Sequence, residues 1–175
     1  MDCPHCKDQR LSPVKLEQDL PALQCGECHG SLVSLLVYRR WSETHPIVGE
    51  PEGNIEEEAD ETRCGLLCPK CHRLMQKFSI SAESKHKIDL CTHCDEAWLD
   101  QGEWQLLKHL ELADQLPSIF TQPWQHHIKQ EAFAKKRLQR WQEILGDDFE
   151  KAQAFREWLN GHPHKDELLR YLNEH

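Results

Sequence analysis

The cysteines constrain this chain more than any other feature of its sequence. Eight of the nine form four Cys-x-x-Cys pairs, and the pairs come as two copies of one unit. The first copy has the pairs Cys3/Cys6 and Cys25/Cys28, and the second has Cys68/Cys71 and Cys91/Cys94. Within each copy, a spacer of hairpin length separates the pairs, residues 7–24 in one and 72–90 in the other. Each copy can therefore aim four thiolates at one tetrahedral metal, at about 2.3 Å from each sulfur.

The sequence around the pairs favours zinc, with two ions, one per copy. Tetrahedral sulfur sites suit zinc or iron. Rubredoxin-type iron knuckles usually continue from the second pair into glycine, whereas here His29 and Asp95 follow. Iron stays the alternative. A site with four thiolates has no open position for water, so we expect both ions to be structural and the protein not to be an enzyme.

The predicted compartment is the cytoplasm. The chain has no stretch apolar enough to span a bilayer, and Cys3 takes the place of a basic and apolar leader. Paired thiols without a signal peptide favour a reducing environment, where they hold metal. A secreted scaffold held by disulfides is the alternative.

The charge argues against general binding to nucleic acid. The formal net charge is −9, and two zinc ions with eight thiolates would bring it to about −13. A strongly acidic protein repels phosphate backbones, so a nucleic-acid contact would need a local basic patch. We expect a protein partner and no membrane association.

Composition divides the chain into four stretches. We predict a first zinc ribbon over residues 1–43, an acidic flexible linker over 44–63, a second zinc ribbon over 64–100 and a C-terminal helical region over 101–175. The linker carries seven acids and one base. The predicted fold class is α+β, with two small four-cysteine ribbons built on short β-hairpins and a C-terminal α-helical bundle. On this interpretation the first ribbon, on its acidic tether, is free to reach another molecule.

Apolar residues recur at helical spacing in the last stretch. Asp100 and Glu103 form a capping-box pair at the start of a helix that we expect to run until Pro117. Pro123 and Gly146 are placed to begin and end a second helix, and the break at 160–163 separates two more. We expect most of the six tryptophans to lie in the core, and Trp41, beside the linker, to be exposed.

The second copy resembles a known family. Its second knuckle continues as Trp98-Leu99-Asp100-Gln-Gly102-Glu103, and this run is similar to the transcription-factor-IIB-type zinc ribbon. The resemblance covers about 36 residues and implies a zinc-ribbon fold, zinc binding, and a tryptophan that packs on the metal knuckle. The first copy matches at Gly30 but has Leu32-Val33-Ser34 in place of Trp98-Leu99-Asp100. We therefore expect its chain to continue as a strand from Leu32 to Tyr38.

Two other groups of residues could carry chemistry. His5, His29, His72 and His93 lie in or beside the knuckles, where we expect exposed side chains, and Cys64 is the odd thiol. Lys129, Phe133, Lys136 and Arg140 form a basic stripe with an aromatic, as in proteins that bind single-stranded nucleic acid. The alternatives are a solvated helix face, or a stripe screened by the acids of residues 50–61.

The function that these patterns favour is a zinc-binding, non-catalytic adaptor that acts through protein–protein contacts, with a link to transcription suggested by the family. We keep two alternatives open. One is a zinc and thiol redox switch or chaperone, supported by Cys64. The other is nucleic-acid binding through the stripe at residues 129–140.

Overall fold

A computed structural model describes residues 1–45 and 65–174. Most of the predicted linker and Cys64 lie outside these residues. The chain divides into two compact units, residues 1–130 and 131–175, and each is described by itself.

The first unit contains both cysteine repeats. The first repeat forms β1 (Leu11–Glu17), β2 (Leu20–Cys25), β3 (Ser31–Ser34) and α1 (Leu35–Ser42). The second forms β4 (Gln76–Ser79), β5 (Lys87–Cys91), β6 (Glu96–Leu99) and α2 (Glu103–His109), and α3 (Leu116–Ile119) follows. Each repeat is thus three antiparallel strands that lead into a helix.

The two repeats share one sheet. Its six strands are all antiparallel, in the order β1-β2-β3-β6-β5-β4, so the third strands of the two repeats pair at the centre. The first repeat is therefore not the freely tethered ribbon expected from the sequence. Its last strand is hydrogen-bonded to that of the second repeat.

The central pairing has an internal twofold pattern. Leu32 lies four residues after Cys28, Trp98 lies four residues after Cys94, and these equivalent residues pair with each other. On either side, Ser31 pairs with Leu99 and Val33 pairs with Ala97. Equivalent positions exchange partners across this point, as they do at an isologous interface between two subunits.

Alternation along the central strands separates two apolar clusters. Val33, Ala97 and Leu99 belong to the larger one, which also contains side chains from α1, α2 and α3. Leu32 and Trp98 belong to the smaller one, together with the cysteines. The two repeats therefore share one core on each side of the sheet.

The expected strand from Leu32 to Tyr38 is wrong beyond Ser34. The chain turns into α1, which buries Leu35, Tyr38 and Trp41 at intervals of three residues. This periodicity is helical, and Leu36 and Val37 between them stay exposed. Trp41, expected at the surface, is only 6% exposed, and its indole N–H donates to the carbonyl of Gln18. Tyr38 and Trp41 both pack against Trp104 of α2, with ring centroids 6.4 and 6.2 Å apart.

The helix after the second repeat is shorter than predicted. It ends at His109, and Glu111 then adopts a positive φ of 56°. The turn brings Ala113, Leu116 and Ile119 into the larger core. Pro117 consequently lies in the first turn of α3 and does not terminate α2.

Helix α4 (Gln122–Leu145) begins beside Pro123 and ends before Gly146, as predicted. In the second unit it is followed by α5 (Phe149–Asn160) and α6 (Lys165–Asn173). Among the described residues after 130, Leu159 is the one buried apolar side chain. Trp141 and Trp158, expected in a core, are 48% and 52% exposed. None of the described helices combines the length and the apolar character that a membrane span requires.

Candidate metal centres

The structure gathers the eight described cysteines into two groups of four. Within each group the ligand atoms all lie within 4.8 Å of one another. One group contains Cys3, Cys6, Cys25 and Cys28, and the other contains Cys68, Cys71, Cys91 and Cys94. None of these cysteines is in a disulfide. Each group could therefore hold one metal ion.

The sulfur spacing fits a tetrahedral ion. With metal–sulfur bonds of about 2.3 Å, the edge of a sulfur tetrahedron is about 3.8 Å. The Sγ atoms of Cys3 and Cys28 are 3.6 Å apart, and those of Cys6 and Cys25 are 3.9 Å apart. In the second group, the Sγ atoms of Cys71 and Cys91 are 3.5 Å apart. These distances match tetrahedral edges and far exceed the roughly 2.05 Å of a disulfide.

All four knuckles have the same backbone turn. The residue after the second cysteine has a positive φ, and its N–H donates to the carbonyl of the first cysteine. The φ values are 64° at Lys7, 54° at His29, 58° at His72 and 54° at Asp95. The hydrogen bonds are 2.8 to 3.1 Å long. This left-handed position usually favours glycine, yet the chain has a side chain there every time.

Burial is also repeated from one knuckle to the next. The first cysteine of each pair is buried, and the second is half-buried. Each site therefore lies at the edge of the apolar cluster, with one side toward the protein and the knuckle loops toward solvent.

Backbone N–H groups prepare one thiol in each group to ionise. The N–H of Arg73 is the main cause that lowers the pKa of Cys71 to about 7. For Cys25, burial opposes ionisation, but the N–H groups of Cys28 and Glu27 outweigh it and lower the pKa to about 7. The hydrogen bond with Cys71 and burial raise the pKa of Cys94 to about 12. Because metal binds thiolates, loading would release protons and weaken at low pH.

The histidines near the knuckles are exposed, as predicted. His5, His29, His72 and His93 all have exposed side chains, and neither four-cysteine group includes one of them. The Arg73 guanidinium donates to Nδ1 of His93, at 3.0 Å, so this pair links the two knuckles of the second repeat at the surface.

Trp98 of the second repeat packs against the first repeat. A Cβ placed on Gly30 would lie 2.2 Å from Cζ2 of Trp98, so the ring occupies the space a side chain would fill. Gly30 is two residues after Cys28. The indole N–H donates to Oδ1 of Asp100, at 2.8 Å. The family resemblance implies a tryptophan on a metal knuckle, and here the tryptophan lies beside a knuckle of the other repeat.

One apolar cluster contains both groups of cysteines. Leu32, Leu66, Met75 and Trp98 are its buried members besides the cysteines. A further contact supports the second site, where the Lys70 ammonium, inside a knuckle, donates to the buried carboxylate of Glu96. The two candidate sites are therefore packed on a common core.

A group of buried acids beside Trp98 was not predicted as such. Asp89 pairs with Trp98 across β5 and β6 and accepts from Nζ of Lys77 at 2.8 Å. Asp100 and Glu103 are also buried. Burial, together with the charge of Asp100, raises the pKa of Glu103 well above its usual value. The ion pair between Lys77 and Asp89 could be predicted only from the register of β4 and β5, which the sequence does not provide.

One bond of the predicted capping box is present in the structure. A carboxylate oxygen of Glu103 accepts from the N–H of Asp100, at 2.8 Å. The Asp100 carboxylate accepts from the indole N–H of Trp98, and Gly102 takes the N-cap position of α2.

The structure places the four residues of the predicted basic stripe on α4. Lys129 belongs to the first unit, and Phe133, Lys136 and Arg140 belong to the second. All four side chains are exposed, and Phe133 is 71% exposed.

Comparison of the chain with protein-family models, with curated proteins and with solved structures gave no match in any of the three. Fold and site define an α+β protein with a six-stranded antiparallel sheet and two four-cysteine groups that could bind metal.

Proposed function

We propose that this protein is a zinc-binding, non-catalytic adaptor of the cytoplasm, with one Zn²⁺ in each four-cysteine group. The observation that supports it best is the pair of sulfur sets with tetrahedral spacing and no position left for water. Zinc is favoured over iron by His29 and Asp95, which stand where an iron knuckle usually has glycine.

The proposed role is presentation of rigid surfaces. Metal would hold the four knuckle loops, which expose histidines, while the second unit exposes large apolar side chains. Exposed apolar surface of this kind marks protein contacts. We include the link to transcription in the proposal because of the resemblance of residues 91–103 to transcription-factor-IIB-type ribbons.

Metal analysis tests the first part of the proposal. We expect two zinc ions per chain in protein purified without chelators. Cobalt-substituted protein should show the absorption of tetrahedral thiolate sites. Iron, or fewer than two metal ions per chain, would contradict the assignment.

An anion titration tests the non-catalytic part. Azide and cyanide enter an open coordination position, so the cobalt spectrum should not change if four cysteines close each site. A spectral change on addition of azide would show an exchangeable position and would reopen the enzyme alternative.

Nucleic-acid binding through α4 is the second candidate, favoured by the exposure of Phe133, Lys136 and Arg140. If it is correct, affinity for single-stranded RNA should fall steeply with salt and weaken further in Lys136→Ala/Arg140→Ala. The redox-switch alternative depends on Cys64, which lies outside the described residues.

A further inference from the structure

The second unit exposes most of its large apolar side chains. Among its described residues, Phe133, Trp141, Phe155 and Trp158 are each about half exposed or more. At roughly 150–250 Å² per aromatic side chain, these four alone expose on the order of 400 Å². Five aliphatic side chains add to this area: Leu138, Ile144, Leu145, Leu169 and Leu172. That is a large apolar surface for a unit of 45 residues.

A unit this small with so little buried cannot account for its own stability. Domains below about 40–50 residues usually need a metal, a disulfide or another chain. The described part of this unit contains neither a disulfide nor a four-cysteine group. A second chain that packs on these side chains would supply the burial that the unit lacks.

The apolar surface of α4 has the spacing of a helix–helix seam. Ala134, Leu138, Trp141 and Leu145 follow one another at intervals of four, three and four residues. Three residues of this seam line a groove of about 190 Å³ that opens between α4 and α5. Leu138, Trp141 and Leu145 line it from α4, and Phe149 and Ala152 line it from the following segment.

The charges along the same segment show which partner it fits. Residues 135–140 of α4 carry four bases and no acid, whereas residues 143–150, which run from the last turn of α4 through the turn at Gly146 into α5, carry four acids and no base. Trp141 lies between the two blocks. If two copies of α4 pair antiparallel about Trp141, the basic block of each copy faces the C-terminal end of α4 and the following turn in the other copy, where the acidic block lies. A parallel pairing would place like charges together.

The whole unit is also nearly neutral. Residues 131–175 contain eight bases and nine acids, whereas the full chain has a net charge of −9. Charge repulsion between two copies of this unit is therefore weak, whereas the acidic remainder of the chain would repel a second copy of itself.

We propose that the protein is a homodimer in which the seams of two second units, formed by Leu138, Trp141 and Leu145, pack antiparallel. The inference rests on the proposed function, because it names a second copy as the partner of the helical surface. The dimer would display four metal-held repeats and leave their knuckle loops available to other proteins.

Sedimentation equilibrium of the full zinc-loaded chain tests the dimer. We expect twice the chain mass of 20.6 kDa at micromolar concentration. Leu138→Glu/Trp141→Glu should give the monomer mass, with unchanged zinc content and unchanged unfolding of the cysteine-containing unit. A wild-type monomer at about 50 µM would overturn the proposal and leave the surface for a different protein.

Charge variants test the antiparallel arrangement without burying a charge in the seam. Arg137→Glu/Arg140→Glu cancels the basic block, and Glu143→Lys/Asp147→Lys cancels the acidic block. Each should weaken the homodimer at least tenfold, and a mixture of the two should form heterodimers more tightly than either forms homodimers. Lys85→Glu/Lys87→Glu, on exposed positions of the first unit, is the matched control and should stay dimeric.

The possible outcomes are distinguishable. A dimer that both block variants leave unchanged, or a mixture with no heterodimer preference, overturns the antiparallel model. Zinc content and the cobalt spectrum are measured on the same samples, so a failure of the metal assignment would be seen separately from the oligomeric state.

Discussion

The indole ring of Trp98 lies directly on Gly30, where a Cβ would come within 2.2 Å of Cζ2. The two residues belong to different cysteine repeats. Trp98 lies in β6 and Gly30 directly precedes β3, and these two strands pair, with Leu99 opposite Ser31. The single glycine therefore lets the second repeat place its tryptophan beside the Cys25/Cys28 knuckle. The contact explains why the two four-cysteine groups share a core.

Gly30→Ala should destabilise the zinc-loaded protein by about 1–3 kcal/mol or more, because the methyl group collides with a buried, rigid ring. Denaturant unfolding measures the change. Gly26→Ala is the matched control, because its Cβ would meet nothing within 4 Å, and it should change stability little. Trp98→Phe should be destabilising alone but should cost less in the Gly30→Ala background. Additive effects of the two substitutions would contradict direct contact.

The two metal sites should be energetically coupled through their common core. Cys25→Ser/Cys28→Ser removes the first site, and we expect zinc release from the second site to a chelator to become at least tenfold easier. The reciprocal variant, Cys91→Ser/Cys94→Ser, should weaken the first site. Lys87→Ser, at an exposed position of β5 that belongs to neither group, serves as the control. A second site that holds zinc as tightly as in the wild type would show that the sites are independent.

The two four-cysteine groups could be predicted from the sequence because Cys-x-x-Cys is a local pattern. The same turn geometry accompanies this pattern at all four knuckles. The pairing of β3 with β6 was not readable, because it joins residues more than 60 positions apart, such as Leu32 and Trp98. The contact of Trp98 with Gly30 depends on that pairing. The cysteine pattern identifies each repeat but does not predict which strands of the two repeats pair.

Helical periodicity likewise predicts which residues share a helix face, but it does not predict what that face packs against. The spacing of Trp141 and Leu145 predicts a common helix face, and the structure has it, but the face is exposed and not in a core. Helix α1 shows a different cause of error. Its helical period is completed only by Trp41, which lies beyond the apolar run that predicts a strand.

His72→Gly should leave stability unchanged or raise it by up to about 1 kcal/mol. His72 is exposed and has a φ of 58°, a conformation that costs a residue with a Cβ about 1–2 kcal/mol, while glycine gains disorder in the unfolded chain. His72→Val should be clearly destabilising, because a β-branched residue tolerates this region poorly. Thr92→Gly, at an exposed position without a positive φ, is the control and should lower stability. Denaturant midpoints of the zinc-loaded proteins measure all three.

Glu103→Gln should stabilise the protein at neutral pH. Burial raises the pKa of Glu103 above its unfolded value, so the folded protein takes up the proton more readily than the unfolded chain. The contribution of Glu103 to the stability of the wild type must therefore fall as pH rises from about 4.5 toward the folded pKa, and then level off. Glutamine is neutral throughout and can still accept from the N–H of Asp100.

The stability difference between Glu103→Gln and the wild type should accordingly grow as pH rises from 5 to 8. Denaturant unfolding with excess zinc measures it, and comparison of the two proteins at each pH removes the common effect of thiol protonation. Glu103→Ala loses the hydrogen bond to Asp100 and should be destabilised by about 1–3 kcal/mol at every pH. A difference that shrinks as pH rises would mean that Glu103 is ionised and stabilised in the folded protein, contrary to the burial of its carboxylate among Asp89 and Asp100.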